Sequence, residues 1–72
     1  MIEGRLGYHR ETKRIGFLWS DLWHKDFHCG NHLQVMIDGE WIDTRIEMDI
    51  NQKWYLVGVD RELEGLKARI EK

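Results

Sequence analysis

An all-β fold, a small SH3-like barrel of about five to six antiparallel strands, is what three observations on this sequence predict. Asp38-Gly39 stands between two alternating runs of apolar and polar residues, and Asp-Gly supplies the positive φ angles of a two-residue hairpin turn. Further short alternating runs lie on both sides of it, separated by polar, turn-forming residues. Finally, the 72 residues make one domain. A chain this short buries only about 60% of its unfolded surface, so its strands must curl around one core with few exposed edges.

The first element is a hairpin. Residues 5–9 alternate with Leu6 and Tyr8 on one side, Arg10-Glu11-Thr12-Lys13 interrupts, and residues 14–19 resume with Ile15, Phe17 and Trp19 in step. Ile2-Glu3-Gly4-Arg5 spells a protease recognition site used in engineered proteins, but a strand that starts inside it assigns these residues to the domain. Gly7 and Gly16 fall within the strands, where a missing side chain marks a bulge or the sharp coiling of a small barrel. Residues 20–31 show no sustained period and read as the longest irregular connection, the kind of segment where binding is usually found.

The Asp38-Gly39 turn fixes the register of the central hairpin. Ile37 falls opposite Glu40, Met36 opposite Trp41, Val35 opposite Ile42, Leu33 opposite Thr44 and His32 opposite Arg45. Leu33, Val35, Ile37, Ile42, Thr44, Ile46 and Met48 then share the core face. Asp49-Ile50-Asn51-Gln52 turns into another strand over residues 53–59, where Trp54 and Tyr55 are both candidates for the inward position. In the tail, Leu63, Leu66 and Ile70 fit a helical stripe, whereas Leu66, Ala68 and Ile70 fit a strand. Gly65 would cost about 1 kcal/mol inside a helix. It favours a turn or short helical loop over residues 60–64 and a closing strand over residues 66–70.

Composition and charge weigh against several classes of function. Eleven Lys and Arg against 13 Asp and Glu give a net charge of -2, without the basic footprint that drives phosphate-backbone binding. The longest apolar runs, residues 15–19 and 54–59, fall far short of the roughly 20 residues a membrane-spanning helix needs. Cys29 is the single cysteine and makes no internal disulfide, and the N-terminus lacks the order of charged, apolar and cleavage segments of a secretory leader. Cytoplasmic placement is the expectation.

His24, His28, Cys29 and His32 bring three imidazoles and a thiol into nine residues, a donor set that suits tetrahedral zinc. Structural zinc sites usually join ligand pairs from separate knuckles, however, and adjacent His28 and Cys29 point apart in an extended chain. The plainer reading makes Cys29 a small buried apolar residue in a turn. No cofactor is expected on this reading, and zinc is the one to test for. A nucleophilic pair of Cys29 with His24 or His32 would further need an orienting group, an oxyanion hole and a closed pocket, for which so small a domain has little volume. An enzyme is therefore not expected.

Two surfaces have the composition of binding sites. Arg5, Arg10, Lys13 and Arg14 place four cations around the first loop, where nucleic acid would be held. Trp41, Met36, Arg45, His32 and Gln34 share the non-core face of the central hairpin, and aromatic, Met and Arg side chains together mark protein interfaces. Trp23, in the irregular connection, is the next candidate. The competing reading has the Trp41 face covered by the tail or by residues 20–31.

One resemblance spans nearly the whole chain. Gly4-Arg5-Leu6-Gly7-Tyr8, Phe27-His28-Cys29-Gly30, Asp38-Gly39-Glu40-Trp41-Ile42, Thr44-Arg45-Ile46-Glu47, Trp54-Tyr55-Leu56-Val57-Gly58 and Leu63-Glu64-Gly65-Leu66 resemble a family of small domains of unknown function. That family is common in Gram-positive bacteria and their mobile genetic elements, phages included. The resemblance implies a small β domain in a mobile-element setting and carries over no catalytic or ligand residue. With small size and no catalytic constellation, the expected function is a non-enzymatic protein-interaction module. Its partner would be a larger bacterial protein such as a defence nuclease, as for an anti-CRISPR protein acting on Cas9. The alternatives are a small nucleic-acid-binding barrel and a zinc-stapled structural domain.

Overall fold

The computed structural model describes residues 1–20 and 22–71. Among them seven strands run in the order β1 (Ile2–His9), β2 (Arg14–Trp19), β3 (Leu22–Asp26), β4 (His32–Ile37), β5 (Glu40–Met48), β6 (Trp54–Leu56) and β7 (Lys67–Ile70). They form one antiparallel sheet in the spatial order β3-β2-β1-β7-β4-β5-β6. A flat single sheet would be only a few ångströms thick at its Cα atoms. The smallest dimension of the molecule is 18 Å, so the sheet curls over itself.

Every strand except β3 contributes to the concave side. Leu6 from β1, Ile15 and Phe17 from β2, Leu33 and Val35 from β4, Ile46 from β5, Leu56 from β6, and Ala68 and Ile70 from β7 are all buried. Phe27, which follows β3, is 0% exposed and meets Phe17 edge-on at 6.4 Å. Its amide donates to the Ile15 carbonyl, after which the Gly30 amide donates to the Ile46 carbonyl, so the connection from β3 to β4 crosses the open side of the curl and plugs it. Thr44 is the buried polar residue of this core, and its hydroxyl donates to the Val57 carbonyl at 2.7 Å.

The central hairpin has the register expected of its turn, from Ile37 opposite Glu40 to His32 opposite Arg45. Asp38 and Gly39 take φ values of 51° and 85°, the left-handed region a tight hairpin turn requires. Met48 lies at the rim and is exposed, unlike the rest of the expected core face. The first hairpin also forms as expected around the Arg10-Glu11-Thr12-Lys13 loop, with His9 opposite Arg14.

Four expectations are corrected. Residues 20–31 are not an irregular connection throughout, because β3 pairs with β2 along the sheet edge. The strand over residues 53–59 shrinks to β6, with Trp54 half-buried and Tyr55 exposed. The tail strand forms, but it lies between β1 and β4 in the middle of the sheet rather than closing its edge. Finally, the sheet does not close into a barrel: β3 and β6 stand at its two ends with no ladder joining them among the described residues. Side chains bridge that gap instead. The Trp54 indole N–H donates to the Lys13 carbonyl at 3.0 Å, and the Arg14 guanidinium lies over the same indole at 5.8 Å.

Candidate functional site

The convex side of the sheet is made by the residues between the core positions. On β1 and β2 these include a cross-strand pair of glycines, Gly7 opposite Gly16. A Cβ on Gly16 would come within 2.7 Å of Cζ3 of Trp23, and one on Gly7 within 2.6 Å of Cδ1 of Leu18 and 3.3 Å of Cη2 of the same indole. Both are closer than an added methyl can sit without displacing its neighbour. The two glycines thus make a slot for the Trp23 ring, and this close approach, not backbone twist, is why side chains are missing there.

His9 completes the slot. Its ring stacks on Trp23 with centroids 4.4 Å apart and planes 11° from parallel. Its Nδ1 lies 3.1 Å from Oδ1 of Asp26. Burial pushes the Asp26 carboxyl up, but hydrogen bonds from His9 and Thr12 and the charges of His9 and Arg14 together hold it below its ordinary value. Trp23 nevertheless remains 44% exposed. Trp19 and Leu22, cross-strand partners at the β2–β3 turn, are 50% and 72% exposed. One end of the sheet therefore carries three large apolar side chains in contact with solvent, one of them locked in place.

The Trp41 face is built differently. Trp41 is half-buried, with the Arg69 guanidinium 4.2 Å from its ring centroid and the Lys67 ammonium at 5.9 Å. Arg69 donates from Nε to Gln34, and Gln34 donates to Asp43, each at 2.6 Å. Both cations come from β7, so the tail lies against part of this ring, which stays half-buried. Arg45 pairs with Glu47 at 3.0 Å, His32 is exposed opposite Arg45, and Met36 is half-buried beside Trp41. Trp41, Met36, Arg45 and His32 are thus gathered on one face, as expected. Trp23 lies on the same convex side but at the far edge of the sheet.

The zinc-type residues are dispersed. His24 sits on β3 with its ring edge-on to Phe17 and Trp19, at 6.1 and 6.2 Å, and His28 and Cys29 lie in the turn before β4. Cys29 is exposed, which corrects its reading as a buried apolar residue. Among the described residues no group of three or more His, Cys, Asp or Glu gathers to hold a metal. Of the four cations around the first loop, Arg10 lies in the same turn as Lys13. Arg14 donates to the Phe27 carbonyl and lies on Trp54, Lys13 sits in the turn with φ 58°, and Arg5 lies on β1.

Sequence reasoning passed over His9, Asp26 and Lys67. The four-residue loop sets Gly7 opposite Gly16, and two facing glycines on one side of a ribbon call for an aromatic to cover them, a signal for Trp23 but not for His9 or Asp26.

Comparison with known proteins adds the family. A crystal structure of a protein from Ruminococcus gnavus is similar to this chain, with 36% sequence identity and a TM-score of 0.84 over 94% of this chain and 99% of that one. No curated protein matches. The model of the family described as "Domain of unknown function (DUF5348)" matches residues 4–70, nearly the whole domain, and the chain belongs to that family.

Proposed function

We propose that the protein is a non-enzymatic protein-interaction module whose binding face is the convex side of the sheet, anchored at Trp23. The observation that carries this reading is the construction around that side chain. Two glycines inside strands each cost roughly 0.5–1 kcal/mol relative to alanine, and His9 and Asp26 are committed to holding the ring, yet 44% of Trp23 is left in water. A ring needed for the core alone would be buried. One held rigid and half-exposed pays its ordering entropy before binding, as interface anchors do.

The family resemblance supports a setting on a mobile genetic element, and a module of this size acts there by occupying a surface of a larger bacterial protein. A defence nuclease such as Cas9 is the partner class we place first. The test is capture from the native host with tagged wild-type and Trp23→Ala proteins, followed by reconstitution with the purified partner. Each variant's fold is checked by its amide NMR spectrum. Loss of Trp23 should weaken binding by at least about fivefold, the 1 kcal/mol that separates anchors from bystanders. A folded Trp23→Ala protein that binds its partner at full strength contradicts the proposal.

A further inference from the structure

β3 stands at one end of the sheet, and among the described residues no further strand pairs with its outer side. Large apolar side chains are exposed on both faces of this edge. Trp23 lies on the convex side, with Leu18 and the glycine slot. Trp19 and Leu22, one position further along each strand, turn to the opposite side, where His24 stands edge-on both to Trp19 and to the buried Phe17. Apolar groups on the two faces of one edge are covered together by an element that lies in the plane of the sheet, which is an added strand.

The main chain selects that strand. The Phe27 amide donates to the Ile15 carbonyl, so Ile15, Phe17 and Trp19 turn their polar groups toward β3, and Phe27, Lys25 and Leu22 turn theirs back to β2. His24 is the extra residue between them. The N–H and C=O groups of Trp23 and Asp26 therefore point outward, with two residues between them in place of the usual one. A regular strand offers such groups at every second residue and meets only one of the two. A second β3 run antiparallel meets both, because Trp23 of each copy then lies opposite Asp26 of the other and the two bulges face each other. Lys25 is the charge that would blunt this edge, and it is folded back with its ammonium 5.4 Å from the Phe27 ring centroid.

We propose that β3 pairs antiparallel with β3 of a second copy of this chain, making a two-fold symmetric dimer with one continuous sheet. The exposed parts of Trp19, Leu22 and Trp23 in two copies come to roughly 700 Å². With the main chain of both strands the covered surface reaches about 1,000 Å², the lower bound of a specific interface and the range of reversible association. The dimer stands apart from the interaction-module reading, which the capture experiment with Trp23→Ala decides by itself. Its consequence for that reading is that the two convex faces join, with a Trp23 from each copy beside the seam.

The test is sedimentation velocity of the full chain from about 5 to about 500 μM, with Asp26→Pro and Asp26→Asn in parallel and each fold checked by its amide NMR spectrum. Both substitutions remove the carboxylate, but only proline removes the outward N–H, at a place where an edge strand tolerates it. Wild type should pass from the mass of one chain to that of two. Asp26→Pro should dissociate at least about tenfold more readily than Asp26→Asn. Hydrogen exchange in wild type reads the same contact without a substitution: the Trp23 and Asp26 amides should exchange several-fold more slowly at the upper concentration than at the lower. A monomer at every concentration, equal dissociation of the two variants, unchanged exchange at Trp23 and Asp26, or species that grow beyond two chains would each overturn the dimer.

Discussion

The β4–β5 and β2–β3 hairpins belong to the same sheet and differ in what each side of the ribbon meets. Along β4, Leu33 and Val35 are buried and the residues between them face water or polar neighbours, so every second side chain changes environment. Along β3, Leu22, Trp23, His24 and Lys25 are all exposed, and a register shift leaves His24 as the extra residue opposite the Phe17–Leu18 step. Alternation in a sequence reports contrast between two faces, not extended backbone as such. An edge strand with neither face in the core has no contrast to report. Such a strand supplies no core positions, which leaves its side chains available for other work.

The largest effect that tests this contrast is at Phe27, the buried residue that follows the silent hairpin. Truncating a fully buried Phe costs about 3–5 kcal/mol, and Phe27→Ala should therefore lower the urea midpoint more than Gly39→Val, Trp23→Ala or Leu22→Ser. A mild effect would return residues 20–31 to the loose connection their sequence suggests. Next comes Gly39→Val at the turn of the legible hairpin. A β-branched residue held at φ 85° should cost about 1–3 kcal/mol, read from the same denaturation curves. No change would mean that the turn does not set the register.

Smaller effects sharpen the comparison within the β2–β3 hairpin. Trp23→Ala loses a ring stack and empties the glycine slot, and should cost about 1 kcal/mol. Leu22→Ser, at a side chain 72% exposed, should stay within about 0.5 kcal/mol. Equal costs would mean that Trp23 is no better held than its neighbour.

The smallest effect concerns Asp26. Its folded carboxyl lies below its ordinary value, so its contribution is present above the unfolded pKa and disappears as pH falls through the folded one. Below about pH 4, wild type should lose its advantage over Asp26→Asn. With the side chain 22% exposed the difference should be under about 1 kcal/mol. A stability gap that stays constant down to pH 2 would remove the His9–Asp26 pair from the support of Trp23.

The legible and illegible parts of the molecule follow the same physics. The β4–β5 register could be read residue by residue because Asp38-Gly39 admits few turn geometries and the core face is apolar throughout. Gly65 pointed to a strand in the tail, but no local pattern tells a central strand from a closing one. That is decided by pairing with β1 and β4, far away in sequence. Trp41 and its neighbours were recognisable from composition, whereas the cations that lie against the ring come from that tail. Gly7 and Gly16 were visible as interruptions, yet their purpose needs Trp23, whose strand carries no period.

The most direct test of the central claim, that Trp23 is an exposed side chain held rigid in advance of binding, is nitrogen-15 relaxation of the four indole N–H groups in the free protein. With His9 stacked on it and two glycines beneath it, the Trp23 indole should relax like the rigid backbone, with an order parameter near 0.85. A Trp23 value below about 0.6, that of a freely moving side chain, would contradict the account.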